Sequence, residues 1–133
     1  MTDINSLKPP IPFGPVDLND GWEPVPGGAD GVEQKMLSGA LDEPNQTGVR
    51  TRLIRFLPGT VAPNEFLHDY WEEVYLIEGA LTVGCDSDGK GGDVFDPSAY
   101  ACRPPGTPHG PFASPDGCVF FEIQYYLRPF DAA

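Results

Sequence analysis

Residues 58–79 read PGTVAPNEFLHDYWEEVYLIEG, and this stretch decides the fold. Pro58-Gly59 is a turn dipeptide. Pro63, the turn residues around it and the β-branched run after Glu72 argue against a helix. Glu72–Ile77, EEVYLI, is strongly strand-like. Successive strand side chains alternate between faces, so Glu72, Val74 and Leu76 share one face, and Glu73, Tyr75 and Ile77 the other. Phe66–His68 reads as a short strand, with Asp69-Tyr70-Trp71 as the turn between the two. On that geometry His68 and Glu72 both point inward, and Glu73 is the exterior carboxylate. A carboxylate inside a barrel is costly unless it is paired or binds a metal. A neutral imidazole with a carboxylate suits Fe, Mn, Zn or Ni.

Working outward, the same pattern recurs. Gly31–Leu37 alternates, with Val32, Gln34 and Met36 on one face. Residues 38–48, SGALDEPNQTG, read as a polar loop. Val49–Leu57, VRTRLIRFL, is the next strand. Its Arg50, Arg52 and Arg55 are either solvated and paired with surface carboxylates, or one of them points inward to orient an anionic substrate. After Glu78-Gly79, Ala80–Cys85 is expected to form the hairpin partner of Glu72–Ile77. DSDGKGGD is turn chemistry. Val94-Phe95 and Tyr100–Arg103 are short strands, and Cys118–Leu127 is the last and longest. Short strands at spacings of about ten residues indicate a sandwich or barrel. The expected division is an extended arm over residues 1–21 and a single barrel over 22–130.

Composition narrows the function. Sixteen Gly and sixteen Pro among 133 residues disfavour long helices. A net charge of −12 argues against nucleic acid or an anionic membrane as partner. No run of about 18 apolar residues reads as a membrane span. The opening MTDINSLKPP lacks an apolar signal core. Cys85, Cys102 and Cys118 are odd in number, without CxxC spacing, which fits a reduced cytoplasmic setting with each cysteine a small buried hydrophobe.

His109, the second of only two histidines, lies 41 residues beyond His68 in RPPGTPHGPF. It can join His68 and Glu72 only through the fold. Two histidines and one carboxylate make three ligands and leave half an octahedron for water, substrate, or substrate with O₂. The plain alternative is that both histidines are structural.

These residues resemble the cupins. The first cupin motif, G-x5-H-x-H-x3–4-E-x6-G, is matched in spacing by His68, Glu72 and Gly79, with Gly59 one residue farther from the first histidine position. The second, P-x-G-x2-H, is matched by Pro104, Gly106 and His109. RFLPGT, EEVYLIEG and RPPGTPHGPFASPDGC resemble more narrowly the acetylacetone-cleaving dioxygenases and the cupin domain of anti-sigma factors. The resemblance spans residues 22–128. It implies an all-β jelly-roll barrel (a double-stranded β-helix) and the metal ligands His68, Glu72 and His109. Phe66 stands where the motif has its first histidine, and phenylalanine cannot bind a metal. Asn64 and Glu65 are the nearest substitutes.

The resemblance further implies Fe(II), with Zn, Mn or Ni as alternatives, and oxygenative C–C cleavage of a diketone or hydroxyketone. A redox-neutral enzyme with Glu72 as general base, or a non-catalytic ligand-binding cupin, are the competing readings. Phe66, Tyr70, Glu122 and Gln124 are the expected substrate contacts. The last strand has a mixed face (Cys118, Phe120, Glu122, Gln124, Tyr126) that lines the cavity or is solvated, and an apolar face (Val119, Phe121, Ile123, Tyr125, Leu127) expected to be tightly packed. Tyr70 and Trp71 either rim the pocket mouth or pack ordinarily. The arm suits a homodimer.

Overall fold

A computed structural model describes residues 8–127. Residues 1–7 of the expected arm and 128–130 of the expected barrel lie outside them. Among the described residues there is no helix, and so none long and apolar enough to cross a membrane. The strands are β1 (Glu23–Pro24), β2 (Val32–Asp42), β3 (Thr47–Phe56), β4 (Thr60–Ala62), β5 (Trp71–Gly79), β6 (Leu81–Val83), β7 (Asp93–Phe95), β8 (Tyr100–Arg103), β9 (Phe112–Ser114) and β10 (Cys118–Tyr125). They form two antiparallel sheets, ordered β1-β2-β3-β10-β5-β8 and β4-β9-β6-β7. The expected all-β jelly roll is the architecture.

Strand β5 shows why the sheets close on each other. Glu72, Val74 and Leu76 are buried, while Tyr75 and Ile77 are exposed, as the period of two requires. Val74 and Leu76 meet Ile54, Phe56 and Phe120 of the same sheet and Ala62, Leu81 and Phe112 of the other. Each such side chain contributes about 1.5–3 kcal/mol when fully buried.

Three expectations are corrected. Residues 38–42 are not loop but the second half of β2. A bulge between Met36 and Ser38 and a left-handed Gly39 (φ 79°) break the alternation that would have revealed it. Strand β6 is not the hairpin partner of β5: it pairs with β7 and β9 in the other sheet. The chain changes sheets at Gly79, whose φ of 77° suits glycine and whose α-carbon leaves no room for a Cβ. Phe66–His68 is not a strand, since only Phe66 bridges, to His109. Strands β1, β4 and β9 had no reading in the sequence.

The described part of the arm carries no strand before Glu23. It touches the outer face of the large sheet, where Lys8 Nζ donates to Thr51 Oγ1 at 2.7 Å and Lys35 Nζ donates to Asp20 O at 2.6 Å.

Candidate metal centre

The bridge between Phe66 and His109 assembles the site. Phe66 N donates to His109 O at 2.7 Å, and His109 N to Phe66 O at 3.0 Å. Gly106 N also donates to His68 O at 2.9 Å. These bonds bind the loop after β4 to the proline-rich loop after β8. They set the His68 and His109 rings 5.0 Å apart between centres. Glu72 rises between them from the interior face of β5. One ligand atom from each of His68, Glu72 and His109 lies within 4.8 Å of the others.

Glu72 is buried, and every close partner favours its anion. Gln124 Nε2 donates to Oε1 at 2.8 Å, and Arg103 Nη1 to Oε2 at 3.0 Å. Burial pushes the Glu72 carboxyl up, but His109, Gln124 and Arg103 outweigh it and leave it below the ordinary range. Both imidazoles are lowered as well, but with burial as the cause. Burial lowers His68 and His109, and the attraction of Glu72 only partly opposes it. At neutral pH the site therefore holds two neutral imidazoles and a carboxylate, the protonation state that metal binding needs. His109 Nε2 stands 3.5 Å from Glu72 Oε2, too far for a strong hydrogen bond, and its buried Nδ1 has no hydrogen-bond partner among the described residues. The donor set fits a divalent metal.

The cluster opens into a cavity of about 600 Å³. Tyr70 is buried and stacks on His68 at 4.5 Å and 12°. Its phenol is pushed up to about 12, chiefly by burial, and stays neutral. Phe66 also lines the cavity, its ring 6.3 Å from His68 and 6.1 Å from His109 between centres. Asn64 and Glu65 are exposed and do not line the cavity. Trp71 points outward and stacks on Tyr125.

The last strand turns its mixed face inward. Glu122 and Gln124 are 5 % and 1 % exposed. The apolar face is the outer one, with Phe121, Ile123 and Tyr125 half-buried rather than tightly packed. Arg52 Nε donates to Glu122 Oε1 at 2.5 Å, and Arg52 Nη1 to Gln34 Oε1 at 2.7 Å. Full burial, reinforced by the Glu72 charge, nevertheless pushes the Glu122 carboxyl up to about 8, because Arg52 offsets only part of the lost hydration. Arg50 and Arg52 are thus interior, against the solvated reading, while Arg55 pairs with Glu33 outside as that reading expected. The parity was available: Arg50 and Arg52 alternate in step with the core residues Ile54 and Phe56. Arg103 had no such signal. It reaches Glu72 because β8 pairs with β5 in the register Arg103↔Glu72. Cys85 and Cys118 are buried, but Cys102 is exposed, and none is in a disulfide.

Comparison with known proteins agrees with this architecture. Residues 18–127 match the family model of the ChrR cupin-like domain. Among solved structures, an RmlC-like cupin from Shewanella frigidimarina NCIMB 400 superposes with a TM-score of 0.63 at 17 % identity, covering 93 % of this chain and 97 % of that one. An acetylacetone dioxygenase from Acinetobacter johnsonii gives 0.63 at 18 % identity, with 98 % and 87 % covered. The polyketide cyclase RemF from Streptomyces resistomycificus gives 0.54 at 22 % identity, with 77 % and 70 % covered. At these identities the likeness shows the fold. No curated protein matches the chain.

Proposed function

The chain belongs to the ChrR cupin-like family, and from that premise we propose that it is a mononuclear metal-dependent enzyme acting on a small oxygenated organic molecule, by oxygenative C–C cleavage of a diketone or hydroxyketone. The observation that carries this reading is the His68–Glu72–His109 cluster at the wall of a cavity large enough for such a molecule. The likeness to an acetylacetone dioxygenase, whose named substrate is a β-diketone, supports the substrate class.

His68, Glu72 and His109 would hold the metal, with Fe(II) favoured over Zn, Mn or Ni. The metal supplies Lewis-acid polarisation of substrate oxygens and, as iron, redox chemistry with O₂. The chain's own residues do the rest. Arg103 and Gln124 fix both oxygens of Glu72. Tyr70 braces the His68 ring. Phe66, Phe112 and Phe120 give the cavity an apolar wall that limits water around the bound molecule.

One observation favours a second, redox-neutral reading. Glu122 lines the same cavity and holds a proton near neutrality. That suits acid–base work such as isomerisation, cyclisation or lyase chemistry. A polyketide cyclase among the structural neighbours is in keeping with it.

Metal analysis of protein purified without chelators, with oxygen uptake on β-diketones, tests these readings. Near-stoichiometric iron, lost in His109→Ala, with uptake in the wild type, supports the oxygenase. Zinc or nickel with no uptake replaces it with the redox-neutral enzyme. No metal after reconstitution sinks both in favour of a ligand-binding cupin. Three cysteines free of disulfides support a reducing, cytoplasmic setting. The fully exposed Phe13 and the exposed Ile11 support an arm that reaches a second copy, which elution near the monomer mass of 14.4 kDa would refute.

A further inference from the structure

In a chain of net charge −12, three of the five arginines line one cavity: Arg50, Arg52 and Arg103. Their partners differ. Arg103 is paired with the Glu72 carboxylate, and Arg52 donates to Glu122 and Gln34. Arg50 enters no ion pair among the described residues. Its Nε, at 2.9 Å, and its Nη2 both donate to Oε1 of Gln124, a neutral amide. The amide cannot neutralise the guanidinium; it only aims it.

The aiming follows from strand register. Arg50, Gln124, Glu72 and Arg103 lie opposite one another across β3, β10, β5 and β8, forming one row on the interior face. Gln124, 1 % exposed, accepts from Arg50 with its oxygen and donates to Glu72 with its nitrogen. That fixes its amide orientation and, through it, the direction of Arg50. The row puts the unpaired cation two strands from the candidate metal ligand, about 10 Å between backbones at the usual strand spacing. The other cavity carboxylate, Glu43, sits exposed at the rim. A half-buried guanidinium that enters no ion pair among the described residues, with Glu122 and Glu43 attracting it only from a distance, carries a desolvation cost that a bound anion would relieve.

We propose that Arg50 is the specificity residue of this cavity and binds a carboxylate, so that the molecule taken up is an oxo acid: the diketone or hydroxyketone of the proposed reaction carrying a carboxylate at its far end, with its carbonyl end toward His68, Glu72 and His109. This rests on the metal-site reading for the orientation of the carbonyl end, but the carboxylate preference itself needs no metal. Tyr70 lines the same wall beside His68 and bounds the chain between the two ends. The guanidinium's planar fork matches a carboxylate in a way that no single ammonium can.

The test uses metal-free full-length protein and calorimetric titration. The probes are oxo acids of increasing chain length, such as 4-oxopentanoate, each paired with the methyl ketone that replaces its carboxylate, here 2,5-hexanedione. The wild type is expected to bind at least one acid on the order of tenfold or more tighter than its ketone. Arg50→Gln, with an unfolding curve showing that it is folded, is expected to erase that preference, and Arg50→Lys to restore part of it. The proposal is overturned if the wild type binds no acid, if it shows no preference over the ketone, or if Arg50→Gln keeps it. Metal content measured on the same proteins as purified without chelators, before the metal is removed for the titration, separates the two readings. Anion preference without metal binding sinks the metal site alone, and metal binding without anion preference sinks this inference alone.

Discussion

Arg103 Nη1 donates at 3.0 Å to Glu72 Oε2, the same oxygen that faces His109 Nε2 at 3.5 Å. One carboxylate oxygen thus stands between a permanent cation and an imidazole, while the other is held by Gln124. The register Arg103↔Glu72↔Gln124 across three strands makes this arrangement a property of the sheet. Arg103→Met keeps the length and packing on Phe112 while removing the charge. We expect it to weaken metal binding by about 10–100-fold, the usual effect of losing a group that orients a ligand. Competition with a chromogenic chelator reads this directly. Unchanged affinity would show that Gln124 alone positions Glu72.

Phe66 occupies the place of a ligand. Its ring lies close to both His68 and His109 and lines the cavity, so a histidine there has the other donors within reach. Phe66→His is expected to tighten metal binding by about tenfold or more, as a fourth donor replaces an apolar wall. The lost apolar contact with Phe112 should cost about 1 kcal/mol in the metal-free protein. Weaker binding would mean that the His68–His109 pair cannot admit a third imidazole.

The parts of this site that obey local periodicity were legible in the sequence. Alternation separated Glu72 from Glu73 and placed Glu122 and Gln124 on one face, and the structure gives them those faces. What depends on which strands pair was not legible. Arg103 meets Glu72 through β8 against β5, and β6 leaves β5 for the other sheet; neither pairing is written in the residues themselves. Residues 38–42 were hidden for a different reason, since a bulge and Gly39 interrupt the period on which the strand reading depends. Charge alone allows a solvated set or one inward arginine, whereas parity with Ile54 and Phe56 turns both Arg50 and Arg52 inward.

Glu122 makes the metal-free protein pH-sensitive. Its folded carboxyl titrates at about 8, against 4.5 for the ordinary group. Between those values the folded state keeps a proton that the unfolded state releases. Stability from this group is therefore full below about pH 4.5 and is lost as pH rises toward 8, by up to about 1.4 kcal/mol per unit. Glu122 faces the Arg52 cation and the Glu72 carboxylate, and Glu72 stays ionised through the window because its own titration lies lower. Glu122→Gln keeps the neutral shape without the titration. Denaturant unfolding at several pH values should show the variant gaining on the wild type as pH rises from 5 to 8. Parallel curves would mean that Arg52 keeps Glu122 ionised throughout.

The crossing between sheets sets Gly79, the last residue of β5, hard against the start of β10. Its φ is 77°, and a Cβ there would stand 2.1 Å from Gly117 O and 2.7 Å from the Cys118 α-carbon, both backbone atoms. Backbone cannot swing aside as a side chain can, so Gly79→Ala must displace the start of β10. Gly59 is the control: its φ is 83°, but a Cβ would meet nothing within 4 Å. Gly59→Ala should cost about 1 kcal/mol, from conformational strain alone. Gly79→Ala adds the collision and should cost roughly 3 kcal/mol or more. In thermal unfolding that places its Tm about 10 °C below the wild type. Because β10 carries Glu122 and Gln124, the loss should be accompanied by weaker metal binding in Gly79→Ala and not in Gly59→Ala. Equal destabilisation by the two variants would show that the backbone angle, rather than the close approach of β10, sets the requirement for glycine at the crossing.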